Sequence, residues 1–261
     1  LLNLLYLASG VEQTLAKIAP ESRYYMRVYK ILDLFCCEGG GGMGYHKAGF
    51  DVVGVDIKPQ PRYPFEILIG EALQIVKERR DEFDAFHASP PCQAFTRARK
   101  LQGNTHVNLI DVTREALKAT GKPYVIENVP GAPLHNPVVL CGLMFGLNFY
   151  RHRLFETNVA LSAVQHPPHT ASLAKMGRPP KEHEVLQFVG HFSGVERGRR
   201  EMQTPWMSQY GMSQAIPPAY TEWIGHQIIN ALENMESGAT SANSAMLQGL
   251  KPHAGNTGTS A

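Results

Sequence analysis

Lys30-Ile31-Leu32-Asp33-Leu34-Phe35-Cys36-Cys37-Glu38-Gly39-Gly40-Gly41-Gly42 is the stretch that decides the fold. A short apolar run over residues 28–35 passes directly into a glycine cluster, the pattern of a buried strand feeding a tight turn and a helix. Residues 42–48 are expected to form that helix and residues 52–56 the next strand. Downstream, the alternation predicts a helix over 71–80, a strand over 83–88, a helix over 109–119 that Gly121 can cap, and a strand over 124–127. Ser89-Pro90-Pro91 stops one of these strands and Pro130-Gly131 another, since proline has no amide for the ladder. Strands alternating with helices predict a parallel sheet covered on both faces, with ligands lying beyond the carboxyl ends of its strands.

After residue 157 the pattern changes. His166-Pro167-Pro168-His169 and Gly177-Arg178-Pro179-Pro180-Lys181 are loop-like, and the run 190–200 is basic and glycine-rich. This divides the chain into an N-terminal extension (1–27), a cofactor-binding catalytic domain (28–156), a small irregular lobe (157–203), a segment returning to the main domain (204–235) and a flexible tail (236–261). The returning segment should be helical over 217–232, with Pro217 and Pro218 in its first turn. Met26, just ahead of the first strand, is a candidate start.

At 261 residues the chain can hold one large core with a small appended lobe, and a formal charge of +2 confines any nucleic-acid contact to a local patch. Its four cysteines, Cys36, Cys37, Cys92 and Cys141, lack CxxC spacing, which favours a reduced, cytoplasmic setting. No apolar run approaches the roughly 18 residues that cross a bilayer. His166, His169, His183 and His191 show no ligand-like repeat, so no metal is expected.

The chemistry is read at the strand ends. Glycines after the first strand let a ligand approach the backbone, and Asp56 ends the second strand where a carboxylate can take ribose hydroxyls. Standing alone, these features fit a flexible loop and a solvated carboxylate equally well. Cys92 follows two prolines at the end of the third strand. A lone cysteine there is more often a small core residue than a nucleophile, but it falls where ligands of such sheets gather. Glu127, at the end of the next strand, brings a carboxyl group to the same edge. A soft nucleophile beside a carboxyl group can attack a heteroaromatic carbon while the ring nitrogen is hydrogen-bonded.

Taken in order, these motifs resemble the DNA cytosine-5 methyltransferase family, especially its short phage and bacterial members. Asp33-Leu34-Phe35 with the glycine run resembles the cofactor motif. Ser89-Pro90-Pro91-Cys92-Gln93 resembles the nucleophile motif and Glu127-Asn128-Val129 the carboxyl motif. Arg151-His152-Arg153 resembles the end of Gln-x-Arg-x-Arg, with Phe149 in place of the glutamine. Ser213-Gln214-Ala215-Ile216-Pro217-Pro218 resembles the late Gly-Asn-Ala-Val-Pro-Pro. Cys36-Cys37 stands where the family has a small residue and glycine, which implies a tighter cofactor loop. The resemblance covers residues 30–228 apart from the small lobe.

The resemblance implies a Rossmann-like α/β, S-adenosylmethionine-dependent methyltransferase domain with a small irregular target-recognition lobe. Phe35, Cys36, Cys37, Gly39, Gly40, Asp56, Ile57, Glu71, Pro90, Gln214 and Ala215 would bind the cofactor. Cys92, Glu127, Arg151 and Arg153 would carry the reaction, Cys92 adding to carbon 6 of a flipped-out cytosine. Gln93 with Lys175, Arg178, Lys181, Arg197, Arg199 and Arg200 would contact the nucleic acid. The implied partner of this monomer is double-stranded DNA, in a bacterial cell or phage-infected host and in the setting of restriction-modification. An RNA (tRNA) cytosine methyltransferase and a non-catalytic DNA-binding relative are the alternatives.

Overall fold

The structure, a computed structural model, describes residues 27–91 and 109–249. Cys92, Gln93 and the extension through Met26 lie outside the described residues. Strands β1 (Lys30–Leu34), β2 (Asp51–Asp56), β3 (Glu66–Ile69), β4 (Ala85–Ala88), β5 (Tyr124–Asn128), β6 (Val138–Leu140) and β7 (Arg153–Thr157) form one sheet in the order β3-β2-β1-β4-β5-β7-β6. The first five run parallel, as expected. The expectation of a parallel sheet is corrected at its far edge, where β7 runs antiparallel to both β5 and β6. The link from β6 to β7, residues 141–152, is about the minimum a parallel crossover demands and holds only a short 3-10 turn, so the chain returns antiparallel.

Helices α1 (Gly40–Ala48), α2 (Ala72–Arg79) and α3 (Ile110–Lys118) fill the crossovers. Alternation along β1 sends Ile31 to one face and Leu32 to the other. Ile31, Val52, Ala85, Val125 and Phe155 pack with Tyr45, Phe50, Tyr220, Ile224 and Ile228. On the opposite face Leu32, Val53, Phe86 and Ile126 pack with Val76 and Leu117. The buried guanidinium of Arg114 on α3 grips Glu156 of β7 with two hydrogen bonds, at 2.6 and 2.9 Å, tying the antiparallel edge to the crossover layer.

Helix α1 begins two residues earlier than expected. Gly39 takes the left-handed conformation (φ 81°) and caps it, a geometry that favours glycine. Three glycines make a weak helix start on propensity alone. Here they persist because α6 (Pro218–Gly249) lies directly on them: Thr221 Oγ1 donates to the Gly41 carbonyl at 2.8 Å. A Cβ at Gly44 would overlap Thr221 Oγ1 and the Pro218 carbonyl. Helix α6 also runs past residue 232 to Gly249, through the first part of the stretch expected as a flexible tail. Once the packed turns over α1 have nucleated it, each further residue adds a hydrogen bond.

The lobe is less irregular than its composition indicates. Phe149, Leu186, Phe188, Phe192, Met202, Met207 and Met212 form a hydrophobic cluster of their own. Part of the basic, glycine-rich run is helix α4 (Val195–Met202), followed by the short α5 (Gln209–Gln214).

Candidate active site

The sheet order reverses between β1 and β4, and the carboxyl ends of β1, β2, β4 and β5 open on one edge, where such sheets bind ligands. Phe35 and Cys37 both take positive φ (61° and 47°), so the loop after β1 turns sharply before Gly39. It is pinned by Cys36 N donating to Val55 O at 3.1 Å and Cys37 N donating to Asp56 Oδ2 at 3.2 Å. Asp56 Oδ1 accepts from Lys58 N at 3.0 Å. Each oxygen keeps a further lone pair, so the carboxylate can still receive a diol. Ile57 beside it is 65% exposed, an apolar face ready for a flat ring.

Beneath this loop lies Asp33, fully buried, accepting from Tyr63 OH at 3.3 Å. Burial pushes its carboxyl up to about 7, although Tyr63 and the Gly42 amide oppose this. With the folded value raised, stability from the neutral carboxyl is fully present below about pH 4 and is lost as pH rises through about 7. Asp33→Asn should therefore flatten the stability profile between these limits, as measured by denaturant midpoints at several pH values. A variant profile as steep as the native one would remove Asp33 as its source.

Glu127 is buried at the end of β5, and Arg153 Nε contacts its Oε1 at 2.9 Å. Desolvation raises its pKa despite the opposing Arg153 charge and a hydrogen bond from Ser89. A polar chain unread in the sequence stands behind it: Tyr45 OH bonds His87 Nδ1 at 2.9 Å, and His87 Nε2 bonds Ser89 Oγ at 2.9 Å. Burial holds His87 down at about 3, so its imidazole is neutral. Asn128 Nδ2 donates to Pro90 O at 2.9 Å, tying the end of β5 to the turn that leads to position 92. An apolar strand with one internal histidine was the available signal for His87.

Other expected residues are placed differently. Arg151 donates to the carbonyls of Ala215, Phe188 and Ser213 at 2.8 to 2.9 Å, so it joins the lobe to the late motif from a position two residues before Arg153. Glu71 caps α2 with Oε2, which accepts from Gln74 N at 2.8 Å. Gly40 and Ala215 are buried against each other, Pro90 is buried, and Gln214 is exposed. Glu38, unremarked in the sequence, accepts from Ser208 N and Oγ at 2.6 Å each, while its carbonyl accepts from Trp206 Nε1.

The basic residues of the lobe divide. Arg178 pairs with Glu184, Arg197 with Glu201 and the carbonyls of Lys181 and Glu184, and Arg199 with Glu196 and the Met207 carbonyl. Their guanidinium groups thus also hold the lobe together. Lys175, Lys181 and Arg200 are exposed. Of the histidines, His166 and His169 converge with Cys141 and His152 at the β6–β7 edge.

Comparison with known proteins bears on this arrangement. Over 79% of its length the chain superposes on 99% of the Entamoeba histolytica methyltransferase EhMeth, with a TM-score of 0.55 at 10% identity. Over 80% of its length it superposes on 99% of the S. pombe Dnmt2 methyltransferase, with a TM-score of 0.51 at 13% identity. At these identities the likeness establishes the fold alone. A search of curated protein sequences finds no match. Among the described residues no helix is long and apolar enough to cross a membrane. Residues 29–137 match the family of C-5 cytosine-specific DNA methylases, so the resemblance carried by the motifs is to that family.

Proposed function

We propose that the protein transfers a methyl group from S-adenosylmethionine to carbon 5 of cytosine in double-stranded DNA. The observation that carries this reading is the buried Glu127–Arg153 pair at the strand edge, with Asn128 holding the turn before Cys92. The cofactor would lie against Phe35, the turn at Cys36, Cys37, Gly39 and Gly40, and the Asp56–Ile57 edge. Its place there is supported by the uncovered apolar face of Ile57 beside a carboxylate with spare lone pairs. Bound there, it supplies an electrophilic methyl group.

The target base swings out of the stack into the pocket. The thiolate of Cys92 bonds to carbon 6, and the ring electrons move toward carbon 5 and N3. Glu127, with a raised pKa, hydrogen-bonds N3 and the exocyclic amine and limits the charge that builds there. Arg153 orients Glu127 and faces the base oxygen, and Arg151 acts as a positioning residue. After carbon 5 is methylated, loss of its proton to water expels Cys92 and restores the ring. Lys175, Lys181 and Arg200 are the proposed phosphate contacts.

Duplex DNA carrying 5-fluorocytosine, offered with the methyl donor, should become covalently trapped on the native protein and not on Cys92→Ala. Fluorine cannot leave as a cation, so the adduct is not resolved. The same analogue placed in tRNA is expected to leave the protein untrapped. Adducts with tRNA alone would replace the DNA reading, and trapping on neither would end it.

A further inference from the structure

We propose that Cys141, His152, His166 and His169 form a tetrahedral site for a divalent transition metal, zinc by its donor chemistry, that fastens the start of the lobe to the edge of the sheet. The candidate donor atoms of these four residues all lie within 4.8 Å of one another. Zinc–nitrogen bonds of about 2.0–2.1 Å and a zinc–sulfur bond of about 2.3 Å give tetrahedral edges of about 3.3 Å (N to N) and about 3.6 Å (S to N). His152 Nε2 stands 3.1 Å from His166 Nε2, and Cys141 Sγ stands 3.4 Å from His169 Nε2. Two of the edges thus already have nearly the length that coordination requires. One thiolate with three imidazoles suits zinc's borderline softness and lack of geometric preference.

The surroundings hold the donors in place. Cys141 is fully buried between β6 and the turn Gly142–Phe145, and its sulfur accepts the Met144 amide, which fixes its direction. His152 immediately precedes β7. The ring of His169 stacks on Tyr150 at 3.8 Å with planes 2° apart, and the Tyr150 hydroxyl is itself held by the N–H and carbonyl of Ala171. Pro167 and Pro168 stiffen the link between the two distal ligands, lowering the entropy lost when both bind. On binding, the Cys141 thiol proton leaves to solvent as the sulfur–metal bond forms.

The site would fasten residues 158–170, which carry no helix or strand, to the sheet. It would also fix the backbone between Arg151 and Arg153, the two arginines on either side of His152. It departs from the expectation of no metal because its ligands come from three separate stretches, which no sequence repeat reveals.

The test uses the full chain, stripped with chelator and titrated with Co²⁺ in the absence of DNA and methyl donor. Its outcome is therefore independent of the proposed reaction. One equivalent should bind with the intense visible bands of tetrahedral cobalt and a sulfur-to-cobalt charge-transfer band. Cys141→Ser should lose the charge-transfer band. His166→Gln and His169→Gln, both at exposed positions, should weaken binding by more than about 100-fold, beyond the loss typical of an outer-shell partner. His183→Gln should bind as the native chain does. Zinc should raise the melting temperature of the native chain and not of His166→Gln. Weak octahedral spectra, or a charge-transfer band surviving in Cys141→Ser, would overturn the site, as would native affinity in His166→Gln.

Discussion

Glu127→Gln should remain folded and bind S-adenosylmethionine close to normally, yet transfer methyl groups about 10²–10⁴-fold more slowly. Glutamine has the same shape and can still donate one hydrogen bond to N3. It cannot deliver a proton as negative charge builds on the ring. In the native protein burial outweighs the Arg153 charge and raises the Glu127 pKa, so near neutrality more of the carboxyl is in the donating form than in a solvated glutamate. The native rate should consequently decline as pH rises past this elevated value, and the variant should lack that limb. The substitution also leaves the mostly buried Arg153 without its anion, and losses of about 3–5 kcal/mol accompany such breaks. Single-turnover assays should therefore be run well below the variant's melting temperature, with circular dichroism confirming the fold. Transfer within tenfold of native would remove Glu127 from the reaction.

A large effect on stability, with no change in the reacting groups, is expected from Gly44→Val. Position 44 faces the start of α6 with no room for a side chain, since even a Cβ meets the Pro218 carbonyl and the Glu222 amide region. Backbone cannot rotate aside as a side-chain tip can, so the helices must separate. About 3 kcal/mol is the upper part of the usual overpacking range. For a chain of this size that corresponds to a melting temperature lower by about 6–12 °C. Gly238→Ala, on the exposed part of the same helix with open space around it, should be neutral or stabilising by up to about 1 kcal/mol. Thermal melts of both variants compare the two positions directly. Equal melting temperatures would show that the α1–α6 contact yields easily.

The two buried faces of the sheet were legible because β1, β2, β4 and β5 are continuous apolar runs closed by glycine or proline. β3 was not: Glu66–Ile69 is a half-exposed edge strand of four residues. β6 and β7 escaped because the length of the 141–152 link, rather than the strand residues themselves, sets their antiparallel course. At the site, Glu127 and Asp56 could be placed by strand ends alone. Arg151 could not, since its role depends on carbonyls at Phe188, Ser213 and Ala215, distant in sequence and invisible as side-chain patterns. The same reason hid the arginine–glutamate pairs of the lobe. Charge counts record how many cations exist, while pairing geometry decides which face solvent.

The three carbonyls gathered by Arg151 have a consequence for how the molecule can change. A single planar cation clasps Phe188 of the lobe and the first half of the late motif, on either side of Gln214, so these stretches are registered to one another by backbone atoms. Exposed side chains of the lobe can be exchanged, and the loop between residues 175 and 183 lengthened, without shifting that clasp. The surface of the lobe can thus diverge while the strand ends beside Arg153 and Glu127 keep their geometry.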